Sequence, residues 1–216
     1  TRVTIENGRA TGIELARGQE ALTFTAGEVV VSSGVFQSPQ LLMLSGIGDG
    51  RDLAAHGIRA VADLPGVGRN LHDHASVTAH ARCSAPVSYS SLLNPFVAMK
   101  ELARGVIGRR GFMANCSIEA VGMACSVPEQ AIPDIKYQFV PIRLDPVTSM
   151  PIREHGMVNR MELTVPESRG ELRLASADPL AAPLIDANYL SDPSDVRRMR
   201  EALRMAVEIY RQPAFR

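Results

Sequence analysis

The run from Gly34 to Gly48 constrains the fold most, because it reads as a turn and a short helix that directly follow a strand. The β-branched residues 29–31 just before it predict that strand. Ser38 is placed to cap a helix whose first residue is Pro39, and Gly46 can supply the left-handed backbone that ends it. The helix between these signals spans about two turns and is almost wholly apolar, which predicts that it is buried.

A strand that leads through a glycine turn into a helix N-terminus suits the binding of nucleotide phosphates. The same arrangement also occurs as ordinary buried packing, and geometry alone leaves that alternative open. The fingerprint of dinucleotide-binding units, G-x-G-x-x-G, is absent from the sequence. Its nearest string, residues 66–71, lacks the third glycine and follows Pro65 instead of a strand.

The order of residues in this run resembles the second signature of the glucose-methanol-choline (GMC) oxidoreductases, flavoproteins that oxidise alcohols with FAD. The run Leu64–His74 is similar to the PGVGxNLxDH segment of the same family. Further similar segments follow in the family's order and cover nearly the whole chain: residues 111–120, 133–141, 168–179 and 185–193.

The resemblance implies FAD as cofactor and hydride transfer from a primary alcohol to the flavin. Members of the family open with the dinucleotide fingerprint and close with a His-Pro-x-Gly-Thr segment that carries the catalytic histidine. Neither occurs here, so we expect an internal piece of a longer enzyme, with no catalytic residue of its own. Such a piece alone is predicted to be inactive and colourless.

For the cofactor, the resemblance places Gly34, Ser38 and Pro39 against FAD, through close backbone approach and the helix N-terminus. It also places Asn70 and His74 near the flavin as structural or cofactor-proximal polar groups. A metal is the alternative for His74, because His72 would share its side of a strand. No third ligand stands at a telling spacing, and we predict no metal.

For the substrate, residues 137–141 are the best candidate strand, and period-two alternation puts Gln138 and Val140 on one face. Glu154 is a second candidate, since choline-oxidising relatives carry a carboxylate at a similar point, where it can neutralise a quaternary ammonium. A solvated loop carboxylate is the alternative. The chain has no Trp and 5% aromatic residues, a poor supply for a cation-π cage. A choline-like alcohol is the first expectation, with aromatic and aliphatic alcohols open.

The predicted fold class is α+β. Residues 1–74 are expected to be the C-terminal part of an FAD-binding domain, with a β-meander around the hairpin signal Asn7-Gly8. Residues 75–216 are expected to be a substrate domain, one antiparallel sheet flanked by helices. Its predicted strands lie at 76–81, 118–125, 135–140, 157–165 and 171–175, and a helix is predicted at 92–107. A final helix is predicted with Asp192 as its cap and Pro193 as its first residue. It should bury one stripe and leave the arginines Arg197, Arg198 and Arg200 solvated; the stripe is Val196, Met199, Leu203, Val207 and Tyr210.

Composition limits the partners. The formal net charge is zero, so nothing favours nucleic acid or an anionic membrane as an obligate partner, and Arg109-Arg110 reads as a solvated run. No apolar run is long enough for a membrane span. Three cysteines without C-x-x-C spacing indicate reduced thiols. A cytoplasmic location is expected, with a peripheral position at the inner membrane as the alternative. The rival function is a stand-alone small-ligand binding or interaction module without a redox role.

Overall fold

The computed structural model describes residues 1–18, 20–112, 118–145 and 147–215, so Asn115 and Cys116 of the similar segments lie outside it. Unit 1 comprises residues 1–72 and 168–189, and unit 2 comprises residues 73–167 and 190–216. The strands are β1 Arg2–Glu6, β2 Arg9–Arg17, β3 Glu20–Thr25, β4 Ile47–Gly48, β5 Ala62–Asp63, β6 Arg69–Leu71, β7 Ser76–Arg82, β8 Ala120–Ala124, β9 Ile135–Val140, β10 Gly156–Leu163, β11 Gly170–Arg173 and β12 Leu184–Asp186. The helices are α1 Gly34–Leu44, α2 Gly50–Ala55, α3 Pro95–Gly108 and α4 Pro193–Arg211, with 3₁₀ turns at Tyr89–Leu93 and Pro213–Phe215.

Unit 1 opens with the predicted meander, in which β1, β2 and β3 pair antiparallel in sequence order. Asn7 (φ 51°) and Gly8 (φ 76°) form the turn between β1 and β2, both in the left-handed conformation that such a two-residue turn requires. The buried Val3 ties β1 to the end of α1, because its N–H donates to Ser45 Oγ at 2.8 Å. The Ser45 hydroxyl in turn donates to Leu41 O at 2.6 Å.

Helix α1 begins at Gly34, so the prediction that Ser38 caps it and Pro39 opens it is wrong. Pro39 lies in the second turn, where it gives up one backbone N–H and the helix continues through it. Residues 29–31 form no strand with any described residue, because no neighbouring strand offers them backbone partners. The helix is also less buried than expected: Val35 and Phe36 are exposed.

The left-handed stop predicted at Gly46 is confirmed, with φ 82°. A Cβ there would lie 2.6 Å from Arg59 O, so the position also requires a glycine for space. The chain then forms β4, which pairs in parallel with β5.

The observed units differ from the predicted division at residue 74, because residues 168–189 group with residues 1–72 in unit 1. The strand β11 pairs with β6 and β12, and not with the sheet of the predicted substrate domain. Leu172 N–H donates to Gly68 O at 2.6 Å, and a Cβ at Gly68 would lie 2.3 Å from Leu172 O. This long-range pairing carries residues 168–189 into unit 1, where the core combines side chains of both segments: Met43, Leu53, Leu172 and Leu174.

Unit 2 is an antiparallel sheet in the order β7-β10-β9-β8, with α4 packed on one face. Each of the predicted strands 76–81, 118–125, 135–140 and 157–165 is present within a few residues. The α+β class is confirmed. The core between sheet and helix is formed by Ala79, Ile135, Tyr137, Met161, Leu163, Met199, Ala202 and Ala206.

The start of α4 agrees with the sequence: Pro193 is its first residue, and Asp192 accepts from Ser194 N–H at 2.8 Å. Its buried face differs, because Arg198 is only 4% exposed while Val196 is partly exposed. Arg198 contacts the buried carboxylates of Asp195 (2.5 Å) and Asp134 (3.4 Å). These two partners stabilise a guanidinium that the sequence predicts to be solvated.

Candidate functional site

The N-terminus of α1 is the candidate anion site of unit 1. Its N-cap, Ser33, makes no side-chain cap bond with any described residue, and the first turn holds no acidic side chain. Gly34 has φ 87°, and a Cβ built on it would meet no atom within 4 Å. An exposed, uncapped helix start behind a glycine suits a phosphate or pyrophosphate group, so this end fits the phosphates of FAD.

Ser38 and Pro39 stand one turn further along α1 and are half-buried. Neither belongs to the first turn, so the helix-terminus reason for placing them against a cofactor does not apply. Both reasons for placing Gly34 against a cofactor still apply: the space beside it is open, and it lies at the start of the helix.

Asn70 adopts a left-handed conformation (φ 61°) within β6 and holds the two segments of unit 1 together. Its Oδ1 accepts from Arg169 Nε at 2.9 Å, and Arg169 O accepts from Asn188 Nδ2 at 2.8 Å. Its own carbonyl lies 2.9 Å from His72 Nδ1. The described contacts of Asn70 are therefore structural.

His74 belongs to unit 2 and is exposed, and its backbone N–H donates to Asp73 Oδ1 at 2.8 Å. The strand that would place His72 and His74 on one side does not form, because β6 ends at Leu71. Among the described residues, no three His, Cys, Asp or Glu side chains come together in a way that could hold a metal ion.

The open face of the unit 2 sheet is the candidate substrate surface. Tyr137 and Phe139 point towards α4 and the turn after it: Tyr137 Oη donates to Ala202 O at 3.2 Å, and the rings of Phe139 and Phe215 lie 5.6 Å apart. Alternation therefore directs Gln138 and Val140 to the opposite face, as the sequence predicts. The Gln138 amide makes no hydrogen bond to any residue that the structure describes, so it is available to a ligand.

Polar side chains of the neighbouring strands share this face. Arg160 is the register partner of both Gln138 and Thr78, and Thr78 Oγ1 lies 3.0 Å from His80 Nε2. The buried Glu162 pairs with Lys136 and with Arg160 Nε, the latter at 3.1 Å. Sequence reasoning missed Thr78, His80 and Arg160, although the alternation of Ser76–Arg82 signals a polar face.

Glu154 lies in a loop, about half exposed, between two arginines. Its Oε2 is 3.1 Å from Arg143 and 3.4 Å from Arg82 Nε. Both cations compete with any quaternary ammonium for this carboxylate.

Tyr137 does not supply acid–base chemistry. Burial of its phenol, with a smaller contribution from the Asp134 carboxylate, raises the pKa of Tyr137 to about 12. Its hydroxyl therefore stays neutral near pH 7 and serves as a hydrogen-bond donor to α4.

Within the part of the chain that the structure describes, no helix has the length and apolar character needed to cross a membrane. Comparison with known protein families shows which family the chain belongs to. The N-terminal domain model of the GMC oxidoreductases matches residues 1–76, and the C-terminal model matches residues 166–216, together more than half of the chain. The chain belongs to the GMC oxidoreductases.

Individual relatives agree with this assignment. The oxygen-dependent choline dehydrogenase of Rhizobium etli is 39% identical over 215 residues, which are 99% of this GMC chain and 39% of that protein. The oxygen-dependent choline dehydrogenase of Rhizobium meliloti is 38% identical with the same coverage. This chain thus spans about two fifths of the length of these curated relatives.

Solved structures show the same similarity. A formate oxidase from Aspergillus oryzae, studied for its FAD modification, matches with a TM-score of 0.87 and 27% identity, over 99% of this chain and 43% of that one. A pyridoxine 4-oxidase matches with a TM-score of 0.78 and 23% identity, over 98% of this chain and 38% of the other. The second match supports the fold alone.

Proposed function

We propose that this chain is part of an FAD-dependent oxidoreductase that oxidises a primary alcohol, with a choline-like alcohol as the first candidate. The observation that carries the proposal is 39% identity, across 99% of the chain, to an oxygen-dependent choline dehydrogenase. When bound, FAD accepts the hydride that leaves the alcohol carbon.

Unit 1 provides the proposed cofactor surface. Gly34 lets the FAD phosphates approach the uncapped start of α1, where free backbone N–H groups stabilise negative charge. Ser38 and Pro39 support that turn from within the helix. Asn70 and His74 are proposed as cofactor-proximal polar groups, and Asn70 also fixes the Arg169 segment.

Unit 2 provides the proposed substrate surface. The free Gln138 amide offers hydrogen bonds to an alcohol oxygen, and Val140 beside it offers apolar contact to the carbon chain. Holding the alcohol in a fixed position is the contribution of this surface to the reaction. Glu154 is the proposed carboxylate for a substrate ammonium, provided that it leaves Arg82 and Arg143.

We propose that the 216-residue chain alone is inactive, because the sequence holds no His-Pro-x-Gly-Thr segment, and that it binds no FAD, because it holds no G-x-G-x-x-G fingerprint. The proposed location is the cytoplasm, with the inner-membrane surface as the alternative. The described thiols Cys83 and Cys125 are free of disulfides, which supports an intracellular setting.

The test uses the natural full-length protein, its visible flavin spectrum and its oxidation of choline, an aromatic alcohol and an aliphatic alcohol. We expect bound flavin and turnover of at least one of these alcohols. A colourless protein, or a flavoprotein that oxidises none of them, would overturn the proposal in favour of a binding module. The 216-residue chain serves as the colourless control.

The Glu154→Gln variant tests the choice of substrate. If Glu154 binds the ammonium, the KM for choline rises about ten-fold or more while that for a neutral alcohol is unchanged. Glu208→Gln is the matched control, because Glu208 also lies on the surface and pairs with an arginine, Arg211. An unchanged KM for choline would leave Glu154 with a structural role only.

A further inference from the structure

Helix α3 turns an apolar face to the surface of unit 2. Five large apolar side chains on this face are strongly exposed: Phe96 78%, Met99 64%, Leu102 49%, Val106 73% and Ile107 85%. Their spacing places them on one side of the helix. We name this set the α3 face. Contiguous apolar patches of this kind mark sites of interaction with proteins or membranes.

The inward side of α3 carries the half-buried Val97, Ala98 and Gly105 around one carboxylate. Glu101 is the buried residue of the helix, and its carboxylate accepts from Arg104 at 2.6 Å. A Cβ on Gly111 would lie 2.3 Å from Glu101 Oε2, so the residues after the helix close over this carboxylate. These contacts fix α3 with its apolar side outwards.

Cations are frequent in the stretch of chain that contains the α3 face. Between residues 86 and 112 the chain carries Lys100, Arg104, Arg109 and Arg110, and Glu101 is the only acidic residue in that stretch. Lys100, Arg109 and Arg110 form no ion pair with any described residue. The whole chain has no net charge, so this positive charge is a local concentration.

A cavity of about 540 Å³ lies at the N-terminal end of α3 and is also lined by both apolar and cationic side chains. Apolar side chains of Leu93 and Phe96 line it together with Arg153 and His155. Arg153 also has no carboxylate partner in the described ranges. The cavity therefore offers a cation beside apolar surface, which is the requirement of a phospholipid headgroup and the start of its acyl chain.

We propose that the α3 face docks onto the surface of an anionic phospholipid membrane. The apolar side chains enter the boundary between headgroups and acyl chains, and the cations of the same stretch contact lipid phosphates. The helix is about 21 Å long, too short to span the hydrocarbon core, so it lies in the interface. A second copy of the chain is a poorer occupant, because a self-complementary contact would bring the same cations together.

The inference does not depend on alcohol oxidation, and its experiment measures membrane binding directly. The natural full-length protein is sedimented with phosphatidylcholine vesicles that contain or lack phosphatidylglycerol. We expect binding to the anionic vesicles only, and weaker binding as salt is raised. The double variant Val106→Gln/Ile107→Gln should lose most of this binding, and Lys100→Gln/Arg110→Gln should weaken it about five-fold for each charge removed.

Matched controls separate docking from general stickiness. Val147→Gln/Leu180→Gln removes two equally exposed apolar side chains elsewhere, and Arg17→Gln/Arg200→Gln removes two exposed cations elsewhere. Both controls should bind like the unchanged protein. The flavin spectrum of each variant should be unchanged, which distinguishes failure of the docking inference from failure of the proposed oxidation.

Three outcomes would overturn the inference. The full-length protein could ignore anionic vesicles, could bind neutral vesicles equally well, or could keep its binding in the Val106→Gln/Ile107→Gln variant. A protein that ignores vesicles but loses self-association in that variant would assign the α3 face to a second copy of the chain.

Discussion

Arg198 lies in the interior of unit 2 with two carboxylates as partners. Its guanidinium donates to Asp195 at 2.5 Å, to Asp134 at 3.4 Å and to Val165 O at 2.9 Å. Replacing Arg198 by Met would leave both carboxylates buried without their cation. We expect a loss of about 3–5 kcal/mol in the free energy of unfolding, measured by urea denaturation.

Arg204→Met is the control for that variant. Arg204 also pairs with an acidic residue three positions earlier in α4, Glu201, but its side chain is exposed. Its removal should cost no more than about 1 kcal/mol. Equal losses for the two variants would mean that the buried cluster contributes no more than a surface ion pair.

Asp134 gives unit 2 a pH-dependent stability. Burial alone would raise the pKa of its carboxyl, but hydrogen bonds from the Ser126 hydroxyl (2.6 Å), the Ser126 N–H (2.7 Å) and Gln130 hold that pKa below its ordinary value. A carboxyl with a lowered folded-state pKa stabilises the protein above its unfolded-state pKa. That contribution is lost as the pH falls through the folded-state pKa.

Ser126→Ala tests this dependence. The variant should raise the pKa of Asp134 and reduce the difference in unfolding free energy between about pH 7 and about pH 3. The control is Ser176→Ala, because the Ser176 hydroxyl accepts from a backbone N–H and contacts no described carboxylate. An unchanged difference in Ser126→Ala would show that the hydroxyl does not lower this pKa.

At the scale of elements, local signals predicted the structure where the partners are close in sequence. The Asn7-Gly8 turn and the Asp192-Pro193 helix start are both set by backbone geometry within four residues, and both are present. The start of α1 was misplaced because Pro39 is equally compatible with a first turn and, at the cost of one hydrogen bond, with a second turn.

Two glycines end successive helices of unit 1 and differ in one respect. Gly46 after α1 has φ 82° and Gly57 after α2 has φ 71°. A Cβ on Gly46 would lie 2.6 Å from Arg59 O. A Cβ on Gly57 would have no atom within 4 Å. Gly57→Ala should therefore cost about 1 kcal/mol for its backbone conformation, and Gly46→Ala about 1–3 kcal/mol more. Equal costs in thermal unfolding would show that the contact relaxes freely.

At the scale of the whole molecule, unit 1 is built from two separate stretches of chain. Met43 and Leu53 come from the first, and Leu172 and Leu174 from the second. We expect residues 1–72 alone to lack a cooperative thermal transition, since their core is incomplete. Because Leu71 pairs with Gly170, a short Gly/Ser linker should join residues 1–72 to residues 168–189 and restore that transition.

A linked polypeptide carrying Leu172→Asp is the control for that experiment. It keeps the linker and both segments but places a charge in the core, so it should behave like residues 1–72 alone. A cooperative transition in residues 1–72 without the second segment would contradict the two-segment account of the unit 1 core.

Such long-range pairing explains what the sequence could not predict. The strand β11 was recognised as a strand, yet its alternation carries no information on which sheet it joins. In the same way, Arg198 reads as a solvated cation, because its partner Asp134 is 64 positions away. For the site, the alternation of β9 placed Gln138 and Val140 correctly on one face, while the arginine partners of Glu154 come from other strands and loops.

The interleaving of the two units also sets the order in which the protein can mature on the ribosome. Met43 and Leu53 emerge early, but Leu172 follows only after the whole of residues 73–167 has been synthesised. At usual elongation rates that delay is on the order of ten seconds. The core of unit 2 is likewise incomplete until Met199 and Ala202 have been synthesised. Both nascent cores are therefore exposed together, so we expect chaperones that bind apolar segments to act on this chain during translation.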